Sequence, residues 1–256
     1  MKVRQASRMR ATQSGSLFSW SGAALVARES ASGYARVRLA VDRPLPSPAA
    51  GQYVLIRSAD GPALPRAFSP ICVEEGEIDL LIKVSGVLRE GLARWPIGSR
   101  LEVRGPYGAP YADRISLDRA YLLVGGGCGV APLLAFARAH RGLVAGAVLG
   151  FRPTGVERLV PEFPLVIEEV SGVTATAEAR RVWQEGQGLI ACGPEDMLRA
   201  IAVDHAGRPD VYVSLETRIG CGIGACLACS VPTPQGNRRV CRDGPLFALE
   251  ELPWLI

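Results

Sequence analysis

Residues 120–141 read AYLLVGGGCGVAPLLAFARAHR. Five apolar residues, Ala120–Val124, run without alternation, as a strand buried on both faces of a parallel sheet does. Four glycines follow within five positions, Gly125, Gly126, Gly127 and Gly129, and then Leu133–Arg141 carries a helical pattern. A strand that turns on glycine straight into a helix is the opening unit of a doubly wound sheet. There, backbone amides at the helix N-terminus can meet a phosphate group. The glycines do not keep strict G-x-G-x-x-G spacing, and a tight packing turn between strand and helix explains them equally well.

Downstream the alternation continues. Leu143–Phe151 (LVAGAVLGF), Leu165–Val170 (LVIEEV) and Gly188–Cys192 (GLIAC) read as strands, and Pro194–Ala206 as a helix with proline at its start and acids in its first turn. A second turn, Cys192–Met197 (CGPEDM), again follows a strand, so Cys192 and Gly193 fall at the same carboxyl edge as the glycine turn. Ligands bind at that edge in such sheets.

Upstream the texture differs. Short alternating stretches, Ala35–Val41 (ARVRLAV), Gln52–Ile56 (QYVLI), Ile78–Val84 (IDLLIKV) and Arg100–Val103 (RLEV), are separated by turns rich in proline and glycine. Short strands at such intervals predict an antiparallel barrel. Within it, Arg66–Ser69 (RAFS) groups a cation, an aromatic ring and a hydroxyl. It suits a phosphate and a ring system, or is simply a strand end with an exposed arginine.

The C-terminal part holds Cys221, Cys226, Cys229 and Cys241, spaced C-x4-C-x2-C and then eleven residues to the fourth. The first three follow the plant-type spacing of [2Fe–2S] ligands. Gly220, Gly222, Gly224 and Ala225 leave room for backbone N–H groups to approach the sulfurs. A structural zinc site commonly shows two C-x-x-C knuckles, and this stretch has one. A disulfide framework belongs to small secreted chains. Cys72 and Cys128 read as small packing residues.

The chain has 256 residues, 48% of them hydrophobic, and a formal charge of +4. It is long enough for two cores and too weakly basic to require nucleic acid. Its two histidines, His140 and His205, leave little for a histidine-based metal site or a Ser–His triad. The apolar run Tyr121–Ala137 is broken by glycines and Pro132, so no membrane span is expected. Seven cysteines without an export signal predict a reducing, cytoplasmic setting. The expected fold is multi-domain, β plus α/β, divided as a disordered basic tail (1–15), an antiparallel barrel (16–112), a doubly wound domain (113–210) and a small cluster module (211–256).

Taken together, these stretches resemble the ferredoxin reductase superfamily. Within it they resemble the electron-transfer subunits of class 1B dihydroorotate dehydrogenase. The resemblance covers roughly residues 16–245 and is most specific over 214–231 with Cys241. Arg66–Ser69 is similar to the family's R-P-x-S flavin motif, with Ala67 in place of proline. The resemblance implies that Arg66, Ala67, Phe68 and Ser69 hold FAD and that Leu81, Ile82 and Lys83 line it. Leu88 and Arg89 fall where the family has a Gly-Thr pair at the flavin pyrophosphate, which is a departure. Gly125, Gly126, Gly127, Gly129, Cys192 and Gly193 would meet NAD, and the four cysteines the cluster.

The implied partner is an FMN-containing catalytic subunit that oxidises dihydroorotate, in a heterotetramer with two of each chain. Electrons would pass by way of the cluster and FAD to NAD+, a step of pyrimidine biosynthesis, with no acid–base catalyst on this chain. One alternative is the small subunit of an NADH-dependent ferredoxin:NADP+ oxidoreductase or sulfide dehydrogenase, which typically has aspartate at the position of Cys221. Oxygenase reductases place their fourth cysteine much further from the third. A non-enzymatic redox-sensing module is a further alternative, although nothing in the chain resembles an output domain or a DNA-binding helix pair.

Overall fold

In the computed structural model, residues 19–60 and 64–256 are described; the basic tail expected over 1–15 lies outside them. The first half is a seven-stranded antiparallel sheet built from β1 (Ser21–Ala31), β2 (Tyr34–Val41), β3 (Tyr53–Ser58), β4 (Arg66–Phe68), β5 (Pro70–Glu74), β6 (Glu77–Lys83) and β7 (Arg100–Tyr107). Its spatial order is β4-β3-β7-β1-β2-β6-β5. The two edge strands, β4 and β5, are consecutive in the chain and joined by Ser69 alone. The sheet must therefore curl until its edges meet, which makes it a barrel. Every second residue of β7 (Leu101, Val103, Gly105, Tyr107) is buried; Leu101 and Val103 belong to the barrel core, whereas Tyr107 packs with Tyr53 and Leu55 against the C-terminal half. Ala23, Leu25, Val37, Leu39, Ile56, Ile78, Leu80 and Val103 fill the interior. A short helix, α1 (Val87–Arg94), lies between β6 and β7 and turns Leu88 and Leu92 toward this core.

The second half is a six-stranded sheet. It contains β8 (Tyr121–Gly126), β9 (Val144–Phe151), β10 (Leu165–Ile167), β11 (Gly188–Cys192), β12 (Val211–Ser214) and a later strand, β15 (Leu246–Ala248), in the order β10-β9-β8-β11-β12-β15. All pairs are parallel except β12 with β15. Every residue of β8 and β11 is buried, as the continuous apolar runs required.

Helix α2 (Val130–Ala139) packs on one face with Leu123, Leu149 and Ile190. The other face, Leu122, Val124, Val148 and Leu189, receives Ala179 of α4 (Ala175–Val182) and Leu198 and Ile201 of α5 (Glu195–Asp204). The sheet is thus doubly wound. The strand read over 165–170 ends at Ile167, and Glu168 and Glu169 open the short helix α3 (Glu168–Ser171). Paired glutamates do not extend a buried parallel strand.

From β12 the chain leaves the sheet and forms a two-stranded ribbon, β13 (Ser230–Val231) with β14 (Arg238–Arg239). A turn of helix, α6 (Val240–Asp243), then leads back to β15. Residues expected to open the cluster module at 211 are therefore hydrogen-bonded into the six-stranded sheet. The cysteine-bearing segment is an excursion between two of its neighbouring strands. No helix among the described residues is long and apolar enough to cross a membrane.

Candidate functional site

The parallel strands run outward in opposite chain directions from the β8/β11 pair, which makes the carboxyl ends of these strands a topological switch point. Gly125 stands opposite Cys192 in register, so the glycine turn and the Cys192–Pro194 turn leave the sheet side by side. They touch. A Cβ on Gly129 would lie 2.2 Å from the Cys192 carbonyl oxygen, and one on Gly126 would lie 2.7 Å from Met197 Sδ.

Facing this edge is the seam of the barrel. Between them lies a cavity of about 340 Å³. From the barrel it receives Ala67, Phe68, Ser69, Leu81, Ile82, Lys83 and Arg89, and from the sheet edge Gly126, Gly127 and Cys192. These ten residues, chosen from separate parts of the sequence, form one wall-to-wall site. Arg66, Leu88, Gly125, Gly129 and Gly193 do not line it. Arg66 is exposed at the start of β4 and donates to its neighbour, the Pro65 carbonyl, at 3.1 Å. Leu88 packs inward on the barrel core, while Arg89, next to it in the first turn of α1, reaches over the Phe68 ring at 5.9 Å. A glycine is still present nearby: Gly86 precedes α1, and the helix N-terminus offers free backbone amides where the sequence lacks the Gly-Thr pair.

Sequence reasoning missed Tyr34, Tyr53, Cys128, Ser214, Glu216 and Pro245, which also line the cavity. Only the fold brings them there. Glu216 is reachable from the cavity but flanked by protein, and burial raises its pKa against the opposing pull of Arg89. Burial likewise pushes the Cys128 thiol up to about 12 and Cys192 well above its ordinary value, which disfavours the thiolate form of both. His205 packs on Trp183 and His140 on Phe136, and neither lines the cavity.

The four cysteines meet as two pairs. Cys226 N–H donates to Cys221 Sγ at 3.5 Å, and Cys241 N–H to Cys229 Sγ at 3.4 Å. Ile223 and Gly224 aim further amides at Cys221 Sγ (3.4 Å) and Cys241 Sγ (3.1 Å). Although burial opposes it, the amides of Cys226 and Ile223 bring the Cys221 thiol down to about 6, toward the thiolate that a metal ligand must be. Among the described residues no three Cys, His, Asp or Glu side chains are grouped as one metal ion requires. Two thiol pairs suit a two-iron rhomb, with one pair per iron, so the donor set fits a [2Fe–2S] cluster.

The barrel holds this loop. Tyr53 O–H donates to the Cys241 carbonyl at 3.1 Å while its ring lines the cavity, so one side chain spans the distance between site and cluster loop. Gly222, at φ +79°, rests where a side chain would meet Leu55 and Tyr107 of β3 and β7.

Residues 25–111 match the family described as oxidoreductase FAD-binding domain, and residues 216–253 the iron–sulfur cluster binding domain of dihydroorotate dehydrogenase B. The expectations of FAD and of an iron–sulfur cluster as cofactors are thereby met. Among curated proteins, the chain is 36% identical over 224 residues to the dihydroorotate dehydrogenase B (NAD(+)) electron transfer subunit of Geobacillus kaustophilus. That match covers 79% of this chain and 86% of the relative. The subunit of the same name from Clostridium acetobutylicum is 33% identical over 211 residues, covering 79% and 85%.

A solved structure described in terms of an NADH-dependent reduced ferredoxin-NADP oxidoreductase superposes with a TM-score of 0.77 at 25% identity, over 91% of this chain and 90% of that one. The ferredoxin reductase of carbazole 1,9a-dioxygenase superposes at 0.61 with 19% identity, covering 76% and 68%, and shares the fold. With its curated relatives above 30% identity across most of both chains, this chain belongs to the family of dihydroorotate dehydrogenase B (NAD(+)) electron transfer subunits.

Proposed function

We propose that the chain is the oxidoreductase subunit that carries electrons between a dihydroorotate-oxidising catalytic subunit and NAD+, in pyrimidine biosynthesis. One observation carries the reading. A single cavity joins the barrel seam, the two nucleotide turns and, through Tyr53, the loop of paired cysteines. Bound FAD supplies two-electron exchange with a nicotinamide and one-electron exchange with a cluster, and the protein contributes position and electrostatics.

Ala67, Phe68 and Ser69 hold one side of the flavin and Leu81, Ile82 and Lys83 the other, with Arg66 at the outer end of the same strand. The first turn of α1, with Leu88 and Arg89, meets the pyrophosphate through backbone amides and the Arg89 charge. Gly125, Gly126, Gly127 and Gly129 admit the nicotinamide dinucleotide, while Cys192 and Gly193 stand at its reactive end. Cys221, Cys226, Cys229 and Cys241 bind the cluster. The units are a barrel to about residue 112, a nucleotide domain, and the cluster excursion set into that domain's sheet.

The partner is an FMN-containing catalytic subunit, two of each chain assembling in the cytoplasm. An anaerobic visible spectrum of the purified chain, before and after NADH, tests the reading. Flavin and iron–sulfur absorption that both bleach support it. A coloured protein indifferent to NADH overturns the nicotinamide assignment. The resemblance in fold to the NADH-dependent ferredoxin–NADP oxidoreductase keeps that reaction as a second reading, which electron delivery to ferredoxin in place of the catalytic subunit would favour.

A further inference from the structure

Strand β7 presents a cation to the cluster loop. Arg104 Nη2 donates to the Cys221 carbonyl at 3.3 Å. Its guanidinium lies 4.7 Å from the centre of the Trp20 ring and 5.6 Å from that of Tyr107. Its Nε is buried without a hydrogen-bond partner, and among the described residues no carboxylate pairs with it. Its neighbour Arg57 differs: it stacks on the same Trp20 ring at 4.3 Å, but Glu102 neutralises it at 2.5 Å. Of the two arginines on Trp20, one is offset by Glu102 and the other, which reaches the loop, is not. Within the cysteine-bearing segment, Arg239 and Arg242 lie against Gly224 and share Asp243. Aromatic rings lie against Arg104, and its Nε is out of solvent.

The guanidinium of arginine is a permanent cation. A cluster on four thiolates is an anion, and taking up an electron adds a further negative charge. A fixed cation beside one ligand then stabilises the reduced form more than the oxidised one, and partial burial preserves the effect. Net charge and hydrogen bonding around the sulfurs are established levers on cluster potential.

We infer that Arg104, shielded by Trp20, sets the reduction potential of the cluster by raising it. This makes Arg104 a tuning residue rather than a ligand, and the inference rests on the cluster assignment above. The test is a redox titration of the purified full chain, followed by the electron paramagnetic resonance of the reduced cluster. Arg104→Gln keeps a donor for the Cys221 carbonyl and removes the charge. At a fixed ambient potential it should lower the ratio of reduced to oxidised cluster about tenfold, a shift of about 59 mV toward negative values.

Arg104→Lys should restore most of the loss. The double variant Arg57→Gln with Glu102→Gln, which removes a neutral pair and leaves the net charge unchanged, should leave the potential within a small fraction of that shift. An iron-replete Arg104→Gln protein with unchanged potential overturns the inference, as does an equal shift in the double variant. Should Arg104→Gln hold no iron, Trp20→Ala decides: lost shielding should lower the potential and make it salt-dependent, and a Trp20→Ala protein that shows neither change overturns the inference. A wild-type chain without iron would instead overturn the cluster assignment beneath it.

Discussion

Cys226 is exposed, whereas Cys229 and Cys241 are buried. Replacing it removes a thiolate at little cost to packing. Cys226→Ser should abolish the iron–sulfur absorption and the bound iron, leave most of the flavin, and change stability by only about 0.5 kcal/mol. Iron analysis beside the flavin spectrum checks this, and unchanged iron would refute the ligand set. Arg66 is a subtler case, since it does not reach the cavity. If it grips the outer phosphate of FAD, Arg66→Ala should lower flavin occupancy severalfold after gel filtration. Full occupancy would leave the phosphates to α1 and Arg89. The cysteines were readable as single residues because their spacing alone encodes a chemistry. Glu216 and Tyr53 were not, because a lone acid and a lone tyrosine acquire meaning only from what the fold sets opposite them.

At the level of elements, the β8–α2 turn and the β11–α5 turn meet backbone to backbone at Gly129. Gly129 has ordinary helical backbone angles, so its need for glycine is purely one of approach to the Cys192 carbonyl. Gly129→Ala should force the turns apart. We expect a loss of about 1–3 kcal/mol by denaturant titration, together with a larger loss in the rate at which NADH bleaches the flavin. An alanine variant with wild-type stability and rate would mean the turns have slack. Apolar runs and glycine turns disclosed this pair of elements, because strand burial on both faces leaves a continuous signature. The extent of β10 was less legible, since Val166 and Ile167 suit a strand while Glu168 and Glu169 do not. The association of β12 and β15 was hidden as well, because no local pattern marks which distant strand completes a sheet edge.

Across the whole molecule, the barrel and the six-stranded sheet are tied by a charged network. Arg36 on β2 donates to Asp79 of β6 at 2.6 Å, to Glu162 at 3.0 Å and to the Leu159 carbonyl at 3.0 Å. Arg138 of α2 adds a bond to Glu162 at 2.9 Å and one to the Ile71 carbonyl at 3.4 Å. Removing Arg36 would leave the buried Asp79 carboxylate without its partner, so Arg36→Ala should cost about 3 kcal/mol in thermal or denaturant unfolding.

Burial opposes ionisation of Glu162, yet the two arginines hold its carboxyl below the usual range. Its contribution is therefore present above the unfolded value of about 4.3 and is lost as pH falls through the lowered folded value. Wild type and Glu162→Gln should differ in melting temperature at neutral pH and converge in strong acid. A gap that persists there would assign the effect to shape rather than charge. None of this network was visible in the sequence, since its members are separated by tens of residues.

The excursion that carries the cysteines leaves from Ser214 and returns at Leu246, residues paired across β12 and β15, and Leu215 N–H closes its base on the Pro245 carbonyl at 3.0 Å. Its two ends are held as neighbours by the sheet, independently of the segment between them. The entropy of closing a loop rises only slowly with length, so what ties the segment to the sheet is packing, through Cys229, Val240 and Cys241 in one core with Leu189, Val211 and Val213. The redox centre is in this sense a cartridge. Exchanging it for a plain turn that refills the places of Cys229, Val240 and Cys241 should keep the hydrogen-bonded edge of the nucleotide domain, and a flavin reductase without its wire would remain.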